Sequence, residues 1–305
     1  MTVSAMTGSD MPTTMTVTPL SIPGTAGQIG ARLYAPTADA SSAPAPAFVW
    51  LHGGGFTGGT LDMPEANWVG HTLAEHGHVV ITVDYRLATK TVRYPAPSDD
   101  VLSAWAWVLA HRAELGITGT VHLGGASAGG NLAAGATMRI RDHDPVARGA
   151  ELPTTLILAY PTLHAIQQPP SEELSAKLQT LPPEAWKGPE YVAEMYARFL
   201  PDPTTTESAT TSVSEWMWAA ATPGTLDPTG LPPTLVAGSE ADMLRASVEE
   251  FVDALTAQGV EHEYFVEPFT QHGHLNRPEE PAATATIERF HSWLNRHDRP
   301  RMKDQ

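Results

Sequence analysis

Cysteine is absent from the 305 residues. That excludes disulfides, thiolate nucleophiles and cysteine-ligated zinc or iron–sulfur sites. Basic residues are scarce: 18 Lys and Arg stand against 34 Asp and Glu, a net charge of −16. A chain this acidic lacks the basic footprint that nucleic acid requires. It also repels anionic substrates at long range, while keeping the surface well solvated. Long apolar runs are missing too. None approaches the roughly 18 to 20 residues that span a bilayer. The leader "MTVSAMTGSDMPTTM" has neither a basic n-region nor an apolar h-region, so it does not read as a secretory signal. The expectation is a cytoplasmic protein whose residues 1–14 form a disordered tail or a short contribution to a lid.

What is present is an alternation of short apolar runs and helical patterns. "MTVTPLSIPG" and "GQIGARLYAP" read as an antiparallel pair across "TAG". After a Pro/Ala/Ser linker, "TADASSAPAPA", come the buried-strand runs "FVWLH", "HVVITVDYR", "TVHLGG", "TTLILAYP" and "PPTLVAGSE", then the alternating run "EHEYFVEP". Helical patterns separate them, at about 64–76, 97–113, 127 onward, 243–259 and 282–297. Ser98 is expected to cap the second of these, with acids in its first turn. Strands alternating with helices predict a mostly parallel sheet covered on both faces. The stretch 162–230 breaks the rhythm, with one convincing helix, "PEYVAEMYARFL", and no sheet strand. A strandless segment that long reads as a lid insertion in the domain 15–305. Its tryptophans Trp186, Trp216 and Trp218 would line an apolar pocket or pack the insertion onto the sheet.

Gly125-Ala126-Ser127-Ala128-Gly129 fits G-x-S-x-G between a strand and a helix. That context suits a nucleophile elbow, in which small neighbours let the chain turn sharply and expose one hydroxyl. Gly129 and Gly130 permit close approach of helix to strand. A phosphate loop fits poorly, because no lysine follows the glycines. A dinucleotide fingerprint would sit on the first strand instead. Upstream, His52-Gly53-Gly54-Gly55-Phe56 follows "FVWL". There the amides of Gly54 and Gly55, with that of Ala128, could surround a developing oxyanion. His52 reads as orienting the glycine loop rather than as a base. An acid and a base would come from loops at the carboxyl ends of strands. Glu240 and Asp242 follow one strand, His272 and His274 another, in the chain order Ser, acid, His. His111, His291 and His297 are expected on solvent-facing helix surfaces. The 13 histidines raise a metal alternative, but no H-E-x-x-H or comparable spacing occurs, so no metal is expected.

These segments, from "HGGGF" through "VDYRLA", "YPAPSDDVLSAWAWV", "GGASAGGNLAAG", "LAYP" and "GLPPTLVAGSEADMLR" to "HGHLN", together resemble the hormone-sensitive-lipase-like esterases of the α/β-hydrolase fold. The resemblance implies an eight-stranded, mostly parallel sheet flanked by helices, a lid, and hydrolysis of short-acyl carboxylic esters without a cofactor. It places the nucleophile at Ser127, the acid at Asp242 rather than Glu240, and the base at His272 rather than His274. It places the oxyanion donors at Gly54, Gly55 and Ala128, with His52, Gly53, Gly125 and Gly129 as motif support. Three residues depart from the usual pattern: Ala126 for aspartate, Met243 for proline and His274 for phenylalanine. The run before the first strand is also shorter than usual, which implies a more open acyl pocket. The implied partner is a small-molecule ester. Homodimers through the last strand and helix are common among similar proteins, and the residues leave that open. Two alternatives stand beside the esterase reading: an acyl hydrolase for amides, lactones or carbamates, and a non-catalytic ligand-binding protein of the same fold.

Overall fold

Runs rich in valine, isoleucine and leucine bury both faces of a strand, which suits the interior of a parallel sheet. "AFVWL" and "VVITV" do so here, with every residue buried. The protein, seen in a computed structural model, is described at residues 15–36, 45–182, 185, 188–201 and 219–298. The leader, most of the Pro/Ala/Ser linker, and Trp186, Trp216 and Trp218 lie outside the described residues.

Eight strands form one sheet: β1 (Met15–Gly24), β2 (Gly27–Pro36), β3 (Ala47–Leu51), β4 (Val79–Asp84), β5 (Val121–Ala126), β6 (Leu156–Ala159), β7 (Thr234–Ala241) and β8 (His262–Gln271). Their order is β1-β2-β4-β3-β5-β6-β7-β8. The β1–β2 and β2–β4 pairs are antiparallel, and the other neighbours are parallel.

Helices cover both faces. They are α1 (Pro64–Glu75), α2 (Ala96–Ala110), α3 (Ala128–Arg141), α4 (Glu172–Leu178), α5 (Pro189–Phe199), α6 (Arg245–Ala257) and α7 (Pro281–His297). Alternation along β3 sorts its side chains. Val49 and Leu51 join a core with Leu102 of α2, Leu132 of α3 and Phe251 of α6. Phe48 and Trp50 join the opposite core with Leu73 of α1 and Phe290 of α7. The carboxyl ends of the central strands are thereby left to present loops at one edge of the molecule, as in open α/β sheets generally.

Two expectations need correction. Ser98 does not cap α2. The helix begins after Pro95, and Ser98 lies inside it, buried, accepting a 2.8 Å hydrogen bond from Arg139 Nη1. Pro97 and the proline-led start already satisfy the geometry of a first turn, so a polar cap is not required. Nor do His111, His291 and His297 simply face solvent. His111 stacks on Trp107 with centroids 4.2 Å apart, and His291 meets His78 Nε2 at 3.0 Å. His297 pairs with Glu261 at 3.1 Å and packs on Trp293. An imidazole at a helix end can lay its apolar ring on a neighbouring aromatic while its nitrogens stay polar.

His122 is fully buried in β5, between the hydroxyls of Thr155 at 2.8 Å and Thr120 at 2.9 Å. Burial, then repulsion from His78 and His297, lowers its pKa to about 3. Burial, then His291 and His76, likewise lowers that of His78 to about 3. A depressed folded-state pKa means that below the unfolded value of about 6.5 only the unfolded chain takes up the proton. Stability is therefore full above about pH 6.5 and falls as the pH drops toward 3. Each such histidine costs up to about 2 kcal/mol between pH 6.5 and 5. Urea midpoints at pH 7.5 and 5.0 should differ accordingly, and His122→Asn should shrink the difference. An unchanged difference in that variant would count against the assignment.

Candidate active site

Ser127 sits at the junction of β5 and α3 with φ 52° and ψ −115°, a region that residues with a Cβ rarely occupy. Its backbone is clamped from several sides. Its N–H donates to Ala159 O at 2.9 Å, and its carbonyl accepts from Asn131 N at 3.1 Å and Thr162 N at 3.2 Å. The turn is possible because the neighbours are small. A Cβ on Gly125 would collide with the backbone of Gly129, and one on Gly129 with the carbonyls of Leu51 and His52. The glycines thus let α3 start directly against β3.

The structure brings the two other residues of the expected triad to this serine. Ser127 Oγ lies 3.0 Å from His272 Nε2, and His272 Nδ1 lies 2.7 Å from Asp242 Oδ2. Asp242 is buried at the end of β7, where its second oxygen accepts the Leu244 N–H at 2.9 Å. His272 follows β8 and keeps 41% of its side chain exposed, so it can exchange protons with solvent. Desolvation by the surrounding walls lowers the pKa of the imidazole. The charge and hydrogen bond of Asp242, with a further contribution from Glu65, outweigh it, while Arg277 opposes them. The net result lies above the usual 6.5.

The competing acid and base go elsewhere. Glu240 pairs with Lys177 at 2.8 Å and accepts the Phe269 N–H at 2.9 Å. His274 is buried between Ser239 Oγ and Thr286 Oγ1, both at 2.9 Å, and burial lowers its pKa to about 4. The polar partners explain how an imidazole occupies a position where an apolar ring is usual.

The glycine loop after β3 lies beside the serine. Gly54 and Gly55 have φ of 120° and 60°, conformations that favour glycine. Both line the cavity into which Ser127 opens. Ala128 is the first residue of α3, where an amide has no intrahelical acceptor. His52 stays under the loop: its ring stacks on Tyr85, and Nδ1 lies 2.7 Å from Gly53 O. One buried residue that the motifs did not flag joins the site. Glu65 of α1 accepts the Gly53 N–H at 2.8 Å. Only its place at the proline-marked start of a helix was legible beforehand.

The cavity measures about 550 Å³. Leu178 of α4, Val192 and Met195 of α5, and Met243 and Leu244 after β7 supply its apolar wall. The 162–230 stretch therefore contributes two helices to the cavity, α4 as well as the expected α5. Among the described residues, no group of three His, Asp or Glu side chains converges as a metal-binding set, and no helix is long and apolar enough to cross a membrane.

If Asp242 holds the imidazolium as this geometry implies, Asp242→Asn should lower the His272 pKa. Imidazole NMR across pH 4 to 9 would measure it. A titration midpoint that stays in place would contradict the pairing.

The comparisons with known proteins agree with this architecture. A family model described as alpha/beta hydrolase fold matches residues 48–276. Esterase LipI of Mycobacterium tuberculosis is 39% identical over 127 residues, 41% of this chain and 39% of that protein. Carboxylic ester hydrolase LipN of the same organism is 33% identical over 266 residues, 85% of this chain and 64% of that protein. The matches thus span less than two thirds of either relative's length. The crystallised esterase of Pyrobaculum calidifontis superposes with a TM-score of 0.73 at 29% identity, covering 92% of this chain and 84% of that one. The chain belongs to the α/β-hydrolase fold family, in its hormone-sensitive-lipase-like group.

Proposed function

We propose that this protein is a carboxylesterase that hydrolyses short-acyl esters through an acyl-enzyme. The observation that carries the reading is the unbroken hydrogen-bonded line Asp242–His272–Ser127 opening onto an apolar cavity. The names of the esterase relatives support it from outside the chain.

In this reading the neutral His272 takes the proton of Ser127 as Oγ attacks the ester carbonyl. The oxyanion forms toward the Gly54, Gly55 and Ala128 amides, the donors this reading assigns to the developing charge. His272 then gives its proton to the leaving alkoxide. Water, activated by the same imidazole, releases the acid. Asp242 fixes the tautomer that leaves Nε2 free to accept and stabilises the imidazolium that forms. The apolar wall receives the acyl chain, and α4 and α5 act as the lid that limits its length.

Three outcomes test this. Ser127→Ala should lower kcat on p-nitrophenyl acetate or butyrate by about a thousandfold or more. Across p-nitrophenyl esters from acetate to laurate, kcat/KM should favour the short chains, and a preference for laurate would overturn the substrate class. Because only neutral His272 can act as a base, and its pKa is raised, the acid limb of kcat/KM should have its midpoint above about pH 6.5. A profile flat through pH 5 to 7 would remove His272 from that role.

A further inference from the structure

Glu65 is 2% exposed, yet it has no ion-pair partner within 4 Å among the described residues. Burying a carboxylate is costly unless hydrogen bonds replace its water. Here they do, one to each carboxylate oxygen. Oε1 accepts the Gly53 N–H at 2.8 Å, and Oε2 accepts the Tyr160 hydroxyl at 2.9 Å. The Glu65 backbone carbonyl accepts Trp50 Nε1–H from β3 at 2.6 Å. Its backbone N–H donates to Asn276 Oδ1 at 3.3 Å, in the loop that follows His272. Its position at the start of α1 also suits negative charge.

The peptide groups on either side of Gly53 are therefore both held. Glu65 takes the N–H of the first, and His52 Nδ1 lies 2.7 Å from the carbonyl of the second. That second peptide also carries the Gly54 N–H. In a planar trans peptide the N–H points opposite to the carbonyl, so holding Gly53 O decides where the Gly54 amide is aimed. Gly53 packs closely against both groups: a Cβ there would come within 2.5 Å of Glu65 Oε1 and 3.1 Å of Ser127 Cβ. On its other side, Glu65 holds Tyr160, whose ring meets His272 edge-on at 5.2 Å and His274 at 5.0 Å. Burial and the neighbouring Glu65 raise the Tyr160 pKa well above its usual value, so the phenol remains a donor.

We propose that Glu65 is a positioning residue for ester hydrolysis: it locks the glycine loop with its amides aimed at the oxyanion and couples that loop, through Tyr160, to the His272 ring. The proposal rests on the esterase reading above. Glu65 also adds a negative charge facing His272. The other charged or titratable groups facing that ring are Asp242, Arg277, His274 and Tyr160.

The test compares wild type, Glu65→Gln and Tyr160→Phe on p-nitrophenyl acetate, measuring kcat, KM, the pH profile of kcat/KM and Tm. Glu65→Gln keeps the shape and removes the charge. Its kcat should fall about 10- to 100-fold, as for a misaimed oxyanion donor, with KM changed less than about threefold. Its acid limb should move to lower pH, because the imidazolium loses a stabilising charge. Tyr160→Phe should lower kcat severalfold and leave the acid limb in place. A purely structural role predicts a lower Tm with wild-type kcat and pH profile, and that result overturns the proposal. Should Glu65→Gln fail to fold, Tyr160→Phe decides alone: wild-type kcat in that variant rejects the coupling. A wild type that neither hydrolyses the ester nor reacts with a fluorophosphonate refutes the esterase reading itself. An active wild type with unaffected variants refutes only the role of Glu65.

Discussion

Ser127 holds a backbone conformation that costs an L-residue of order 1–3 kcal/mol, and it persists only because the surroundings over-determine it. Ala159 takes its N–H, and Asn131 and Thr162 use its carbonyl. Gly125 and Gly129 let strand and helix close to a distance at which no side chain fits. Buried β3, β5 and β6 fix the frame on which this turn rests. The position of the Ser127 hydroxyl opposite His272 Nε2, 3.0 Å away, derives from that clamped turn. A looser turn would place Oγ in many positions, few of them in line with His272.

Around this turn three buried polar side chains have each polar atom bonded. Asp242 has both oxygens bonded, Glu65 has both oxygens bonded, and His274 has both nitrogens bonded. Low dielectric strengthens such bonds and makes a missing one expensive, so each set holds its members in a single geometry. The same surroundings give two histidines two residues apart opposite pKa shifts. His272 faces Asp242 and moves up; His274, desolvated among hydroxyls, moves down to about 4. Environment separates a group able to trade protons near neutral pH from one that stays neutral and structural.

Much of this was legible from residue patterns, for identifiable reasons. Period and turn chemistry are local, so the strand–helix alternation, the antiparallel first hairpin and the strand-to-helix turn at Ser127 could be read directly. Strand boundaries differed by one to three residues, as the ends of elements commonly do, most at the last strand, which runs on to Gln271. Ser98 misled because the helix rules weigh a serine near a first turn without seeing Arg139, which lies 41 residues on in the chain and claims its hydroxyl. His111, His291 and His297 misled because helix periodicity says little about a ring that packs on a neighbouring ring, as on Trp107, His78 and Trp293 here. Glu65 showed only its place at a helix start: its partners Gly53, Tyr160 and Asn276 are up to 211 residues away.

The chain alone determined composition-level exclusions, the alternation that builds the sheet, and the small-residue motifs "HGGGF" and "GGASAGG", because each depends on neighbours close in sequence. It also put an acid and a histidine in order after the serine, but left Glu240 beside Asp242 and His274 beside His272 until a family pattern was laid over them. Which of each pair faces Ser127 is a matter of distance across β5, β7 and β8. So is the burial of Glu65 against the glycine loop. Tertiary structure decided these because hydrogen bonding and desolvation act over a few ångströms of space, and the residues that meet there are far apart along the chain.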